Sequence, residues 1–75
     1  MKPLENNVPT KRYECLQDLR YETHEKVIAY TYHAGKRYLG YFYTGEEIVT
    51  MTDFFGRAIG WGVNHPEFKE YFKEI

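Results

Sequence analysis

The 75-residue sequence contains no serine and only one cysteine, Cys15. Without serine there is no serine hydroxyl to act as a catalytic nucleophile. One cysteine cannot form an internal disulfide, and it cannot supply the second thiolate of a cysteine-rich zinc site. A lone thiol is typical of a reducing compartment. We therefore predict a cytoplasmic protein in which Cys15 is buried and unreactive.

Long apolar runs and an excess of one charge are also missing. No segment approaches the roughly 20 apolar residues of a membrane helix, and the first residues lack the apolar run of a signal peptide. Ten basic side chains against eleven acidic ones give a net charge of -1. A protein that binds mainly by neutralising phosphates would carry a clear positive excess. We expect no membrane contact, and we place nucleic acid behind protein as the expected partner.

The residues that could carry catalysis or hold a metal show no useful arrangement. His24, His33 and His65 lie at or near predicted turns and lack metal-ligand spacing. Glu46 and Glu47 are adjacent in a polar turn, where a solvated loop is the usual reading. The sequence therefore predicts a protein that is not an enzyme and that has no cofactor and no metal.

Aromatic residues, in contrast, are abundant. Fourteen are present, eight of them tyrosine. Each large ring buries on the order of 150 to 250 Å² when it is enclosed. A chain this short forms one small core, which supplies roughly 3 to 5 kcal/mol of net stability. We expect the single tryptophan, Trp61, to lie in that core and some of the tyrosine rings to remain outside it.

The clearest periodicity runs from Val27 to Tyr43, on both sides of the turn Ala34-Gly35-Lys36. Alternation with a period of two predicts paired strands, and Gly35 suits the tight reversal between them. We therefore predict a central hairpin over residues 27–43. One side of it would carry Ile28, Tyr30, Tyr32, Leu39, Tyr41 and Tyr43, and the other Val27, Ala29, Thr31, Tyr38, Gly40 and Phe42.

Further strands are predicted on both sides of this hairpin. Residues 12–21 favour a strand over a helix, because Tyr13, Cys15 and Tyr21 are poor helix formers. A turn follows at residues 23–25. Residues 48–52 and 57–63 predict a second hairpin across the loop Asp53-Phe54-Phe55-Gly56. In its return strand, Ile59, Trp61 and Val63 would face one way and Ala58, Gly60 and Gly62 the other.

The two ends of the chain differ in their patterns. Residues 1–10 contain two prolines and few apolar side chains, which predicts a flexible N-terminal arm before a single domain at residues 11–75. Near the other end, Asn64 or His65 is suited to cap a helix that has Pro66 in its first turn. We predict that this helix continues to the C-terminus and presents Phe68, Phe72 and Ile75 as one apolar stripe.

These elements predict a mainly β protein with one C-terminal helix. The expected architecture is a small, five-stranded antiparallel, partly open barrel that the helix closes. In its order of elements the chain looks like a barrel of the Src-homology-3-like kind.

Four short sequence motifs support a resemblance to a known group of proteins over about residues 12–75. The chain is similar to very small proteins encoded by bacteriophages and prophages. It departs from their pattern in its extra tyrosines and in Gly60-Trp61-Gly62. The resemblance implies a phage or mobile-element origin and a role in inhibiting a host protein or evading host defence, and it brings no catalytic residues. The four motifs are Tyr13-Glu14-Cys15-Leu16-Gln17-Asp18-Leu19, Gly35-Lys36-Arg37-Tyr38, Thr52-Asp53-Phe54-Phe55-Gly56 and Phe68-Lys69-Glu70-Tyr71-Phe72.

The functional hypothesis is a protein interaction surface, since tyrosine and arginine are enriched at binding hot spots. The expected partner is a host protein or a second copy of the chain, bound through the tyrosine-rich sheet face and an exposed strand edge. Two alternatives stay open: a small barrel that binds single-stranded nucleic acid, and an oligomer that sequesters a nucleotide. The predicted binding residues are Tyr30, Tyr32, Arg37, Tyr41, Tyr43 and Arg57.

Overall fold

Short strands make up most of the regular structure. The computed structural model describes residues 8–25 and 27–75. The mainly β fold with one short helix near the C-terminus is confirmed. Residues 12–21 are not helical, but the single strand predicted there is wrong, because it is broken at residues 16–18 into two strands that belong to different sheets. The elements are β1 (Thr10–Cys15), β2 (Leu19–Glu22), β3 (Ala29–Tyr32), β4 (Arg37–Tyr41), β5 (Ile48–Thr52), β6 (Ala58–Gly62), α1 (Pro66–Tyr71) and β7 (Phe72–Glu74).

The strands form two antiparallel sheets. One has five strands in the order β6-β5-β4-β1-β7 and curves into a half-barrel, and the other is the ribbon β2-β3. A five-stranded antiparallel sheet is therefore present, but its membership differs from the prediction, because β7 belongs to it and β3 does not. Of the predicted arm, residues 1–7 lie outside the described residues, and β1 already begins at Thr10.

The predicted central hairpin over residues 27–43 is wrong. β3 pairs with β2, whereas β4 pairs with β1 and β5. The turn itself is present, with Gly35 at a φ of 84° and the Lys36 N–H donating to the His33 carbonyl. Hydrogen bonds from Gly35 to the Cys15 carbonyl and from Cys15 to the Lys36 carbonyl fasten this turn to β1. The turn therefore carries the chain from the ribbon to the sheet.

The second hairpin follows the prediction closely. β5 and β6 pair from Ile48 opposite Gly62 to Thr52 opposite Ala58. Trp61 is buried in the core, and Ile59 and Val63 pack partly buried against it. Ala58 and Gly60 are exposed on the other side of the strand.

The core lies between the concave face of the sheet, the ribbon and α1. Gly40 of β4 sits there in contact with Val49 and the ring of Tyr13, and a Cβ at this position would overlap the Val49 methyl group. Glycine thus allows β4 to pack close to its neighbours. The buried apolar side chains are Tyr13, Cys15, Leu19, Tyr32, Phe42, Val49, Met51, Trp61, Phe68 and Phe72.

The C-terminal helix is shorter than predicted. It begins after His65, whose Nδ1 accepts a hydrogen bond from the Glu67 N–H, and it ends at Tyr71. Phe72 is extended and pairs opposite Cys15 in β7. Pairing with the free edge of β1 satisfies backbone groups that a longer helix would have left without a strand partner, and it keeps Phe72 in the core. The predicted stripe is therefore wrong at Ile75, which is half exposed.

Candidate interaction surface

The convex side of the five-stranded sheet, which faces away from the core, is called here the outer face. Residues paired across an antiparallel sheet share one face, so the register defines this surface. Tyr41 lies opposite Thr10 on one side and Thr50 on the other, and Thr50 lies opposite Gly60. Arg12 lies opposite Leu39. Small side chains therefore flank Tyr41 on both neighbouring strands, and its side chain is half-buried rather than enclosed.

Two predicted site residues stack on this outer face. The rings of Tyr41 and Tyr43 lie 5.8 Å apart between centroids with an interplanar angle of 18°. The side chain of Tyr43 is 62% exposed, and Leu39 and Ile48 are also exposed. The result is an aromatic and aliphatic patch on one face of the sheet, and exposed apolar patches of this kind can mark interaction sites.

Charged side chains lie at the two ends of the patch. Glu14 is paired in register with Arg37 on one side and with Lys73 on the other, and Arg12 is exposed nearby. The loop that follows Tyr43 carries Glu46 and Glu47, both exposed. Arg37 thus lies on the same face of the sheet as Tyr41 and Tyr43. The patch is apolar at its centre and charged at its rim, positive at one end and negative at the other.

Tyr32 is a correction to the predicted surface. Its side chain is completely buried, and its hydroxyl donates to the Met51 carbonyl at 2.7 Å and accepts from Trp61 Nε1 at 3.2 Å. Burial raises the pKa of this hydroxyl well above its ordinary value. Tyr32 cannot contact a partner in this fold, because the ribbon turns its side chain inward over the half-barrel.

Tyr30 also lies away from Tyr41 and Tyr43. Its ring contacts Trp61 edge-on, with 5.0 Å between ring centroids, and stacks on Tyr21, with 5.3 Å between ring centroids. Burial raises its pKa, and the nearby Glu67 adds to that shift. The predicted central hairpin puts all four tyrosines on one face because it pairs β3 with β4. Since β3 pairs with β2, Tyr30 belongs to the ribbon, and Tyr21 is the ring left exposed there.

The last predicted site residue, Arg57, is part of a tight loop. Its Nε and Nη2 donate to Asp53 Oδ2 at 2.8 and 2.7 Å. The same carboxylate accepts backbone N–H groups from Thr31, Phe55 and Arg57. Burial alone would raise the pKa of Asp53, but the hydrogen bonds from Arg57 and Thr31 outweigh it and lower that pKa. Arg57 therefore stabilises the loop, and its side chain is still 41% exposed.

Two exposed rings in the same loop were not predicted as site residues. Phe55 is 67% exposed, with the Arg57 guanidinium 5.3 Å from its ring centre, and Phe54 packs edge-on against His33 at 4.5 Å. The sequence does carry a signal for them. Two consecutive phenylalanines between a turn aspartate and a turn glycine cannot both reach the core of a hairpin.

The prediction that Cys15 is buried is confirmed. Its thiol donates to the Gln17 carbonyl at 3.0 Å, and burial raises the pKa of the thiol. A raised pKa disfavours the reactive thiolate. Within residues 8–25 and 27–75, no three His, Cys, Asp or Glu side chains cluster as metal ligands would.

Comparisons with protein-family models, curated proteins and solved structures gave no match to this chain. Across the described residues, none of the helices is long and apolar enough to cross a bilayer.

Proposed function

We propose that this chain is a non-enzymatic interaction protein that binds another protein through the outer face. The stacked rings of Tyr41, which is half-buried, and Tyr43, which is exposed, carry the proposal, since they stand on the side of the sheet that the core does not use. A rigid tyrosine offers a large contact area at a low cost in conformational entropy. Leu39 and Ile48 extend that area with aliphatic side chains.

The distribution of charge favours a protein as the partner. Charged residues at the rim of an apolar centre are the usual anatomy of a protein interface. Arg37 can form bidentate hydrogen bonds to a carboxylate of the partner. Glu46 and Glu47, in the loop after Tyr43, favour a partner that has basic residues there.

A host protein is the target class that the resemblance to small phage-encoded proteins implies, with modulation or inhibition of a defence or regulatory factor as the outcome. A second copy of the chain is the other candidate for covering the outer face. Light scattering coupled to size-exclusion chromatography separates the two, because a self-associating chain elutes as a dimer before any lysate is added.

We expect replacement of Tyr41 and Tyr43 by alanine to weaken partner binding at least about tenfold, because a central aromatic anchor contributes 2 kcal/mol or more. The tagged chain is first used to capture partners from bacterial lysate. Affinity for each purified partner is then measured by calorimetry. Tyr21→Ala is the matched control, since Tyr21 is an exposed tyrosine on the ribbon. Partners that bind the double variant as tightly as the native chain would contradict the proposal.

A second candidate, single-stranded nucleic acid, is favoured by one observation. Arg12, Arg37 and Lys73 outnumber Glu14 at one end of the outer face, beside rings on which bases could stack. If this candidate is correct, a fluorescent oligothymidine should bind at low salt and lose affinity as salt rises. Arg37→Glu should lower that affinity further. Binding that does not change with salt would argue against this candidate.

A further inference from the structure

The ribbon and the five-stranded sheet are joined at one end of β6 and separate towards the other. At the joined end, Asp53 Oδ2 accepts the Thr31 N–H at 2.9 Å, and the Phe54 N–H donates to the Thr31 carbonyl at 2.8 Å. These bonds hold β3 beside the start of β6. Further along, an open groove of about 500 Å³ lies between the two strands. Its walls are Val27, Ile28, Ala29, Arg57, Ala58, Ile59 and Gly60.

The edge of β6 that faces this groove has backbone groups without a hydrogen-bond partner in residues 8–25 and 27–75. The Asp53 N–H donates to the Arg57 carbonyl and the Val63 N–H to the Glu47 carbonyl. In an antiparallel ladder every second residue bonds to the neighbouring strand, so 57, 59, 61 and 63 face β5. Ala58 and Gly60 therefore direct their N–H and C=O groups away from the sheet.

The opposite wall of the groove has the same character. The Thr23 N–H donates to the Ile28 carbonyl, so residues 28, 30 and 32 face β2, and Ala29 and Thr31 face outward. The Asp53 loop occupies both backbone groups of Thr31. Among the described residues, no hydrogen bond joins Ala29 to β6. Two free strand edges thus flank one groove.

We propose that this groove takes up an extended segment of another protein as an added strand, antiparallel to β6, with apolar side chains and a carboxylate at the end nearest Arg57. This inference rests on the proposed function and identifies one element of the partner. Strand addition of this kind obtains affinity from main-chain hydrogen bonds and specificity from alternate side chains.

The groove is suited to such a segment. A Cβ at Gly60 would meet only Ile48, at 3.8 Å, so no other described part of the chain covers this position of the β6 edge. Val27 is 77% exposed and Ile28 is half exposed, which leaves an apolar wall for alternate side chains of the guest. Four or five extended residues, at about 3.3 Å each, would span the length of β6.

Charge complementarity defines the end of the guest strand. Among the residues that the structure describes, Arg57 is the one charged residue that lines this groove. The Nε and Nη2 of Arg57 donate to Asp53. The Arg57 side chain is nevertheless 41% exposed, which leaves part of the guanidinium accessible to a second carboxylate. A second groove of about 350 Å³ adjoins the first, and Ala29 and Arg57 line both. Arg20 and Glu22 are further charged residues that line this second groove. The carboxylate can be the C-terminus of the guest chain or an acidic side chain.

A displayed library of random heptapeptides tests this assignment against the full chain. Enriched peptides are made synthetically, both as free acids and as C-terminal amides, and are measured by fluorescence anisotropy. We expect alternating apolar residues and a carboxylate near one end. Loss of binding in the amide assigns the carboxylate to the chain terminus, and loss on Asp→Asn or Glu→Gln in the peptide assigns it to a side chain.

Gly60→Pro is the decisive variant, because it removes an N–H that the ladder does not use, and proline is tolerated on edge strands. We expect it to weaken peptide binding at least about tenfold, since it removes a main-chain hydrogen bond and blocks close approach. Gly60→Ala, the matched control, keeps the N–H and should stay within about threefold of the native affinity. If Gly60→Pro fails to fold, Val27→Asp is the second variant, because it puts a charge on the apolar wall of the groove at an exposed position and should also weaken peptide binding.

Three outcomes would overturn the proposal. They are a library without enrichment, equal binding by Gly60→Pro and Gly60→Ala, and a native dimer that Gly60→Pro converts to a monomer, which would assign the edge to a second copy. Peptide binding that survives the Tyr41 and Tyr43 substitutions would separate this groove from the outer face. Failure here would therefore leave the protein-binding proposal for the outer face standing.

Discussion

Replacing Asp53 with alanine is expected to lower the free energy of unfolding by about 3 kcal/mol, because several partners lose a buried acceptor at once. The carboxylate accepts the backbone N–H groups of Thr31, Phe55 and Arg57 as well as the Arg57 guanidinium. Among the described residues, Asp53 is the one charged residue that is buried, and its hydrogen bonds hold the ribbon to the sheet. In a domain with roughly 3 to 5 kcal/mol of stability, this loss would leave a large unfolded population.

Urea titration followed by circular dichroism measures this effect. Asp18→Ala is the matched control, because Asp18 is an exposed aspartate that also accepts one loop N–H, from Ala34 at 2.8 Å. It should cost about 1 kcal/mol or less. Equal losses in the two variants would show that the Asp53 network does not hold the two sheets together.

The same carboxylate makes stability depend on pH. Its pKa is lowered in the folded protein from the ordinary value of 3.8. The contribution of Asp53 is therefore complete above about pH 4 and is lost as pH falls through the folded pKa. We expect the native chain to lose more stability between pH 5 and pH 2 than Asp53→Asn, which has no carboxylate to protonate. Parallel acid-induced losses in the two proteins would contradict this assignment.

Tyr32→Ala should be at least as damaging, with an expected loss of about 3 to 5 kcal/mol for removing a large buried ring. The Tyr32 ring contacts Tyr30, Tyr38, Trp61 and Phe72 at centroid distances of 4.9 to 6.0 Å. Tyr32→Phe keeps these contacts but leaves the Met51 carbonyl and Trp61 Nε1 without the hydroxyl. Its expected cost is about 1 to 3 kcal/mol.

Urea unfolding of Tyr32→Phe measures the smaller cost, circular dichroism in buffer shows whether Tyr32→Ala folds at all, and Tyr43→Ala provides the contrast. Tyr43 lies on the outer face with 62% exposure, so its removal should change stability by about 0.5 kcal/mol or less. A large loss in Tyr43→Ala, or a negligible one in Tyr32→Ala, would reverse the assignment of these tyrosines to surface and core.

Several local features could be predicted from the sequence because each depends on neighbouring residues. Glycine at 35 and 56 takes a positive φ in the turns where the pattern predicted reversals. Asp53 binds the backbone of its own loop, as a turn aspartate does. Alternation in β6 correctly placed Trp61 inside, and His65 with Pro66 marked the start of the helix.

Other features depend on partners that are distant in the sequence. The period of two in residues 27–43 shows that β3 and β4 are strands, but it carries no information on which strand lies beside each. The end of the helix at Tyr71 depends on the free edge of β1, more than 50 residues earlier. The sequence pattern of the last residues fits a helical stripe equally well.

The candidate site divides in the same way. Composition alone determined that some aromatic rings must lie outside so small a core, and Tyr21, Tyr43, Phe54 and Phe55 do. Which rings those are was decided only by the tertiary structure. Burial is set by the strand across the sheet and the layer above it, so the pairing of β3 with β2 enclosed Tyr32 and left Tyr43 free. The groove beside β6 exists for the same reason.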